Sequence, residues 1–273
     1  MHDTSFPSIS KALARGLLAA CVAVQALPAR AEVTEQMVSL KSDSGAVLPY
    51  LLSTDAAQPA DAVAVLFTGG QGRVGLLDKG IPQPGANFLV RSRSLFVNQG
   101  VATAVLDAPS DLRGMNDRFR MSAGHAHDVG TVVADLRRRL PGLRVYLVGT
   151  SRGTVSAAYA AAALGKAVDG VVLTSSVFNA GPGGPGLSGF DYASLQAPLL
   201  LMHHADDACP VTPHHEAERL ALRYRLVTVH GGLPAQSEPC EAFSAHGYLG
   251  VEEEAVTAIV GWMQGRPPPP DVP

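Results

Sequence analysis

An α/β chain with a mostly parallel central sheet of about eight strands and helices on both faces is the fold the sequence predicts. Three observations carry it: a series of short, nearly unbroken apolar runs, helical patterns in the segments between them, and a glycine-flanked turn that joins one run directly to a helix former. Strand and helix alternate in this way from about residue 60 to residue 264.

Val33 to Lys41 and Val47 to Ser53 flank the turn Ser42-Asp43-Ser44-Gly45 and read as an antiparallel pair. Ala62 to Phe67, Val101 to Leu106, Leu143 to Val148, Val168 to Thr174 and Pro198 to Met202 are nearly unbroken apolar runs, as strands covered on both faces require. Leu226 to His230 ends the strand series. Helices are expected over Asn87 to Asn98, stopped by Gly100, and from the cap Ser122 to Leu140, ended by Pro141-Gly142. Three more follow: Val155 to Leu164, Thr212 to Leu222, and a segment striped by Val251, Ala255, Val256, Ile259, Val260 and Met263. Pro267 to Pro270 then begin a tail, 266 to 273, expected to be stiff and unpacked.

With 273 residues, 47% of them hydrophobic and no break in composition, the chain after its first residues reads as one domain, 32 to 265, with a substantial core. A net charge of -3 gives no reason to expect a nucleic-acid partner. Residues 1 to 31 differ. Lys11 and Arg15 precede an apolar stretch, Leu17 to Leu27, that suits a signal h-region and is too short to span a bilayer, and Ala29-Arg30-Ala31 offers a small-x-small cleavage site. Export to the periplasm or beyond is expected, with Glu32 as the first mature residue and no transmembrane segment in the mature chain. Leu18-Ala19-Ala20-Cys21 has the form of a lipoprotein box, but Arg15 lies too close to Cys21 to leave it an h-region. Cleavage after Ala31 leaves two cysteines, Cys209 and Cys240, which in an oxidising compartment suggest one disulfide, with two buried free thiols as the alternative.

Gly149-Thr150-Ser151-Arg152-Gly153 sits between the strand ending at Val148 and the small-residue helix that follows, so G-x-S-x-G stands in the strand–turn–helix context of a nucleophile elbow. On these residues the chain resembles the α/β-hydrolase superfamily, and the resemblance covers nearly all of the chain after residue 60. It implies a hydroxyl nucleophile at Ser151 and a triad completed, in chain order, by an acid after the strand Pro198 to Met202 and by a histidine after the last strand. His203-His204-Ala205-Asp206-Asp207 is similar to the family's H-G-x-x-D pattern with His204 in the glycine position, which selects Asp207 as the acid and Asp206 as the fallback. His246 is the expected general base. Thr68-Gly69-Gly70-Gln71-Gly72 ends a buried strand where the family builds half of its oxyanion hole, so the backbone N–H of Gly70 or Gln71 is expected to act with that of Arg152. Cys209 and Cys240 flank Asp207 and His246, so a bond between them would staple the acid loop to the base loop.

The implied chemistry is ester hydrolysis through an acyl-enzyme, without metal or organic cofactor, on a small-molecule ester or acyl substrate. Residues 175 to 197 are too few and too rich in glycine and proline for the helical lid of many relatives, so an open site is expected. Arg152 beside the nucleophile, with Arg113, Arg118 and Arg120, hints at an anionic acyl group, although a self-paired charge cluster with Asp111 and Asp117 reads better for the loop. An exported peptidase or amidase is the alternative within the fold, and a binding protein on a hydrolase scaffold the alternative outside catalysis. His125 and His127 miss the H-x-H-x-D-H spacing of a di-metal site, and adjacent His203 and His204 seldom reach one ion, so no metal site is expected.

Overall fold

The structure is a computed structural model that describes residues 1–3, 32–82 and 87–273. Residues 31–273 form a compact unit, and everything below concerns it. The expected signal segment, with Cys21 and the cleavage site at Ala31, lies outside the described residues.

Nine strands form one sheet: β1 (Val33–Lys41), β2 (Val47–Asp55), β3 (Ala62–Phe67), β4 (Val101–Leu106), β5 (Arg144–Thr150), β6 (Gly170–Thr174), β7 (Leu199–His204), β8 (Arg225–Val229) and β9 (Asp271–Val272). Their order is β1-β2-β4-β3-β5-β6-β7-β8-β9. The two pairings of β2 are antiparallel and every other pairing is parallel. Around the sheet run α1 (Leu76–Lys79), α2 (Phe88–Arg91), α3 (Arg93–Val97), α4 (Asp117–Arg120), α5 (Ala123–Arg139), α6 (Gly153–Leu164), α7 (His214–Leu220) and α8 (Glu252–Met263).

The unbroken apolar runs have a direct structural cause. Successive strand side chains point to opposite faces, so Ala62, Ala64 and Leu66 of β3 enter one core while Val63, Val65 and Phe67 enter the other. On the first face Ala255, Val256, Ile259 and Met263 of α8 cover the sheet, and on the second Val129, Val133, Ala157 and Ala161 of α5 and α6 do so.

Two expectations are corrected. The helix expected over Asn87 to Asn98 is broken at Ser92 into α2 and α3, and Arg93 turns its buried side chain back to Val90 O and across to Glu35. The tail after residue 265 is packed rather than loose: Asp271–Val272 extends the sheet parallel to β8, with Thr228 N–H donating to Pro270 O and His230 N–H to Val272 O. Proline has no N–H to offer a ladder, so the run 267–270 can only lead up to such an edge strand, which Val272 anchors by burial.

Residues 175–198 hold one short 3-10 turn, Tyr192–Ser194, and no large lid. No helix among the described residues is long and apolar enough to cross a membrane.

Candidate active site

Ser151 directly follows β5 and is separated from α6 by Arg152 alone, the residue at the N-cap of that helix. Its backbone is left-handed, at φ 52°, and its N–H donates to Thr174 O at 3.0 Å. A Cβ added to Gly153 would lie 2.0 Å from Phe67 O, and one added to Gly149 would lie 2.4 Å from Gly153 O, so strand and helix approach too closely for any side chain at either position. Such a conformation costs roughly 1–3 kcal/mol for a non-glycine residue and tends to cluster at functional sites. Among the described residues after residue 31, Ser175 (φ 46°) and Tyr248 (φ 59°) share it, and both belong to the same region. Ser175 Oγ donates to His246 O at 2.8 Å, and Tyr248 Oη, which accepts from Ser175 N–H, donates to Met202 O at 2.8 Å. The loop carrying His246 is thereby tied to the ends of β6 and β7.

Asp207, rather than Asp206, meets His246. His246 Nδ1 donates to Asp207 Oδ2 at 2.9 Å, and the carboxylate is fully buried. Thr212 Oγ1 also donates to Oδ2, at 2.8 Å, and Cys209 N–H donates to Oδ1 at 3.0 Å. Asp206 is exposed, and its N–H turns back to His204 Nδ1. Thr212 was expected only as the start of a helix. It stands before α7 instead, and its contact with both Asp207 and His246 left no pattern in the sequence. His246 Nε2 is buried and has no hydrogen-bond partner among the described residues.

Ser151 and His246 line one cavity of about 470 Å³, together with Gly70, Gln71, Phe88 and Phe243. That volume is within the range of small-molecule sites. The N–H groups of Gly70, Gln71 and Arg152 have no acceptor among the described residues, while Gln71 O accepts from Met115 N–H and Gly69 O from Gly72 N–H. Of the four arginines that hinted at an anionic ligand, none lines this cavity. Arg152 is held by Asp117 at 2.7 Å and by Gly183 O at 2.8 Å, and Arg120 is buried. The arginine on the cavity is Arg73, ion-paired with Asp78 at the surface.

Cys209 and Cys240 form a disulfide across a separation of 31 residues. Cys209 supplies an N–H to Asp207, and Cys240 lines the cavity. Closing such a loop stabilises by roughly 3–4 kcal/mol in the chain-entropy model. Its local effect is on the register between the Asp207 loop and the His246 loop. Reduction should therefore lower activity before it lowers helix content, as read by ester turnover and far-UV circular dichroism in a titration with reductant. Parallel loss of both would contradict this.

The remaining histidines diverge. His203 is fully buried, stacks on Phe178 and accepts from Ser176 N–H, while His204 faces Gly231 O. His125 is buried against Ser156 Oγ at 2.9 Å, whereas His127 is exposed beside Asp43. Among the described residues no cluster of three or more His, Cys, Asp or Glu has metal-binding geometry.

Burial pushes both His203 and His125 down to about 3, with Arg120 adding to the effect on His125. Both are neutral when folded and take up a proton on unfolding below about pH 6.5. The unfolded chain then binds more protons, so stability falls as pH drops from 6.5 toward 3, by about 1.4 kcal/mol per pH unit for each histidine. Urea midpoints measured between pH 6.5 and 5 should fall, and His203→Gln should flatten that slope by about one proton. An unchanged slope would contradict the assignment.

The arrangement of strands, elbow and loops is the α/β-hydrolase fold. No family model matches the chain, and no curated protein matches it by sequence. Solved structures do. A dienelactone hydrolase from Anabaena variabilis superposes with a TM-score of 0.61 at 18% identity, over 86% of this chain and 98% of its own. A cold-adapted esterase from an Arctic intertidal metagenomic library gives 0.58 at 17%, over 86% and 94%. A serine hydrolase without a lid from Xanthomonas campestris gives 0.53 at 15%, over 85% and 92%. At these identities the likeness is one of fold.

Proposed function

We propose that the chain is a serine hydrolase that cleaves carboxylic esters through an acyl-enzyme on Ser151. The observation that carries this reading is that Ser151, on its strained elbow, and His246, hydrogen-bonded to Asp207, line one cavity beside unpaired backbone N–H groups. His246 Nε2 accepts the Ser151 proton as Oγ attacks the carbonyl carbon, and the N–H groups of Gly70 or Gln71 and of Arg152 receive the oxyanion. Collapse of the tetrahedral intermediate breaks the bond to the alcohol, which takes the proton from His246. Water, deprotonated by His246, then attacks the acyl-enzyme and releases the carboxylic acid while Ser151 regains its proton. Asp207 keeps Nδ1 protonated, so that Nε2 is the basic nitrogen. No Ser151–His246 hydrogen bond is present among the described residues, in keeping with catalytic contacts that tighten only when substrate binds.

An ester rather than an amide is favoured by the open cavity and by fold neighbours named as esterases and as a dienelactone hydrolase. The disulfide and the signal-like N-terminal segment support action outside the cytoplasm. Initial rates with p-nitrophenyl acetate, butyrate and octanoate, beside p-nitroacetanilide, test the reading. Turnover of the shorter esters by the oxidised protein is expected, and no turnover of any ester would contradict it.

A further inference from the structure

Arg120 is the largest fully buried side chain among the described residues, at 1% exposure. A buried cation is normally matched by a carboxylate. Arg120 instead donates to neutral oxygens: Nη1 to Ser156 Oγ at 2.9 Å, Nη2 to Gly70 O at 3.2 Å and Thr68 O at 3.4 Å, and Nε to Met115 O at 3.4 Å. The nearby carboxylate, Asp117, is taken by Arg152 and by the N–H of Gly186. Burial, together with Arg152, pushes the Arg120 guanidinium down to about 9, which leaves it charged at neutral pH.

The acceptors explain the position. A trans peptide holds its C=O and N–H in one plane, pointing in opposite directions. The plane whose oxygen is Gly70 O carries the N–H of Gln71, so a guanidinium gripping that oxygen from the protein interior turns the Gln71 N–H outward, to the cavity that Gln71 lines. A cation on the carbonyl also polarises the peptide and strengthens its N–H as a donor. The opposite end of the guanidinium holds Ser156 of α6, the helix that begins beside Arg152. His125 Nε2 secures the same Ser156 hydroxyl.

We infer that Arg120 is a positioning residue: from behind the loop it sets the Gln71 N–H and fixes the loop's distance from the elbow helix, so that both oxyanion donors converge. This rests on the serine-hydrolase reading, and its test separates the two. Arg120→Met keeps the stem and removes the donors, Arg120→Lys keeps the charge but cannot span Gly70 and Ser156 together, and Ser156→Ala removes one anchor alone. Each is assayed with p-nitrophenyl acetate and with phenylboronic acid, whose tetrahedral adduct carries an oxyanion.

Arg120→Met should lose about 10²–10³-fold in kcat with KM nearly unchanged, and its inhibition constant for the boronic acid should rise in step. Arg120→Lys should recover part of the loss, and Ser156→Ala should lose on the order of 10-fold. A general loosening of the fold would move KM and the melting temperature without this match between kcat and boronic-acid affinity. Folded Arg120→Met with kcat within about threefold of wild type would overturn the inference. Where Arg120→Met does not fold, unchanged kcat and boronic-acid affinity in Arg120→Lys and Ser156→Ala would overturn it equally. Ser151→Ala runs alongside: loss of activity there with unchanged Arg120 variants sinks the inference alone, and retained activity there sinks both.

Discussion

Ser151→Ala should lower kcat for short-chain esters by about 10⁴-fold or more, with the fold intact. The change removes one oxygen and leaves Cβ in place, so the left-handed turn and the N–H bond to Thr174 O are undisturbed. On the proposed mechanism, what is lost is the only step that links substrate to protein covalently. Any residual rate would come from the N–H groups of Gly70, Gln71 and Arg152 acting on a water attack. Burst and steady-state kinetics with p-nitrophenyl acetate check this, with far-UV circular dichroism as the control.

Asp207→Asn should cost roughly 10³–10⁴-fold, although it changes a single atom. The carboxylate accepts from three donors: His246 Nδ1, Thr212 Oγ1 and Cys209 N–H. An amide offers one oxygen and one NH₂. With its oxygen toward His246, the NH₂ confronts the Cys209 N–H, which is donor against donor in a buried site. In the flipped orientation the NH₂ meets His246, Nδ1 must accept, and the proton moves to Nε2, where it blocks removal of the Ser151 proton. Either way a buried bond is lost or the wrong tautomer is favoured. Comparing kcat for Asp207→Asn and Asp206→Asn checks the assignment, because Asp206 points away and its variant should stay close to wild type. Equal losses in the two would contradict it.

The strands were legible because both faces of this sheet are covered, which makes β3, β4 and β5 mostly apolar and, apart from Arg144, buried. The elbow was legible because Gly149 and Gly153 answer a steric demand that no other residue meets. Cys209 and Cys240 were legible as a pair only once Cys21 was set aside with the expected signal segment and an oxidising compartment was expected. The edge strand at Asp271–Val272 was not, since two residues carry no period and four prolines argue for a tail. Nor were the arginines. Charge in a sequence gives no sign of burial: the hint of an anionic ligand and the favoured self-paired loop cluster both left these side chains at the surface, whereas Arg152 is locked to Asp117 and Arg120 lies buried beneath the glycine loop. Thr212 escaped for a related reason, because its role depends on two loops more than thirty residues apart meeting at Asp207.

On the proposed mechanism Ser151 is a nucleophile activated by His246 and Asp207. Intact mass of the oxidised protein after treatment with a fluorophosphonate tests it most directly, with Ser151→Ala and His246→Ala treated alongside. A single adduct on wild type, none on Ser151→Ala and greatly slowed labelling of His246→Ala is the predicted result. A folded, oxidised wild-type protein that takes no adduct, or an adduct that persists in Ser151→Ala, would contradict it.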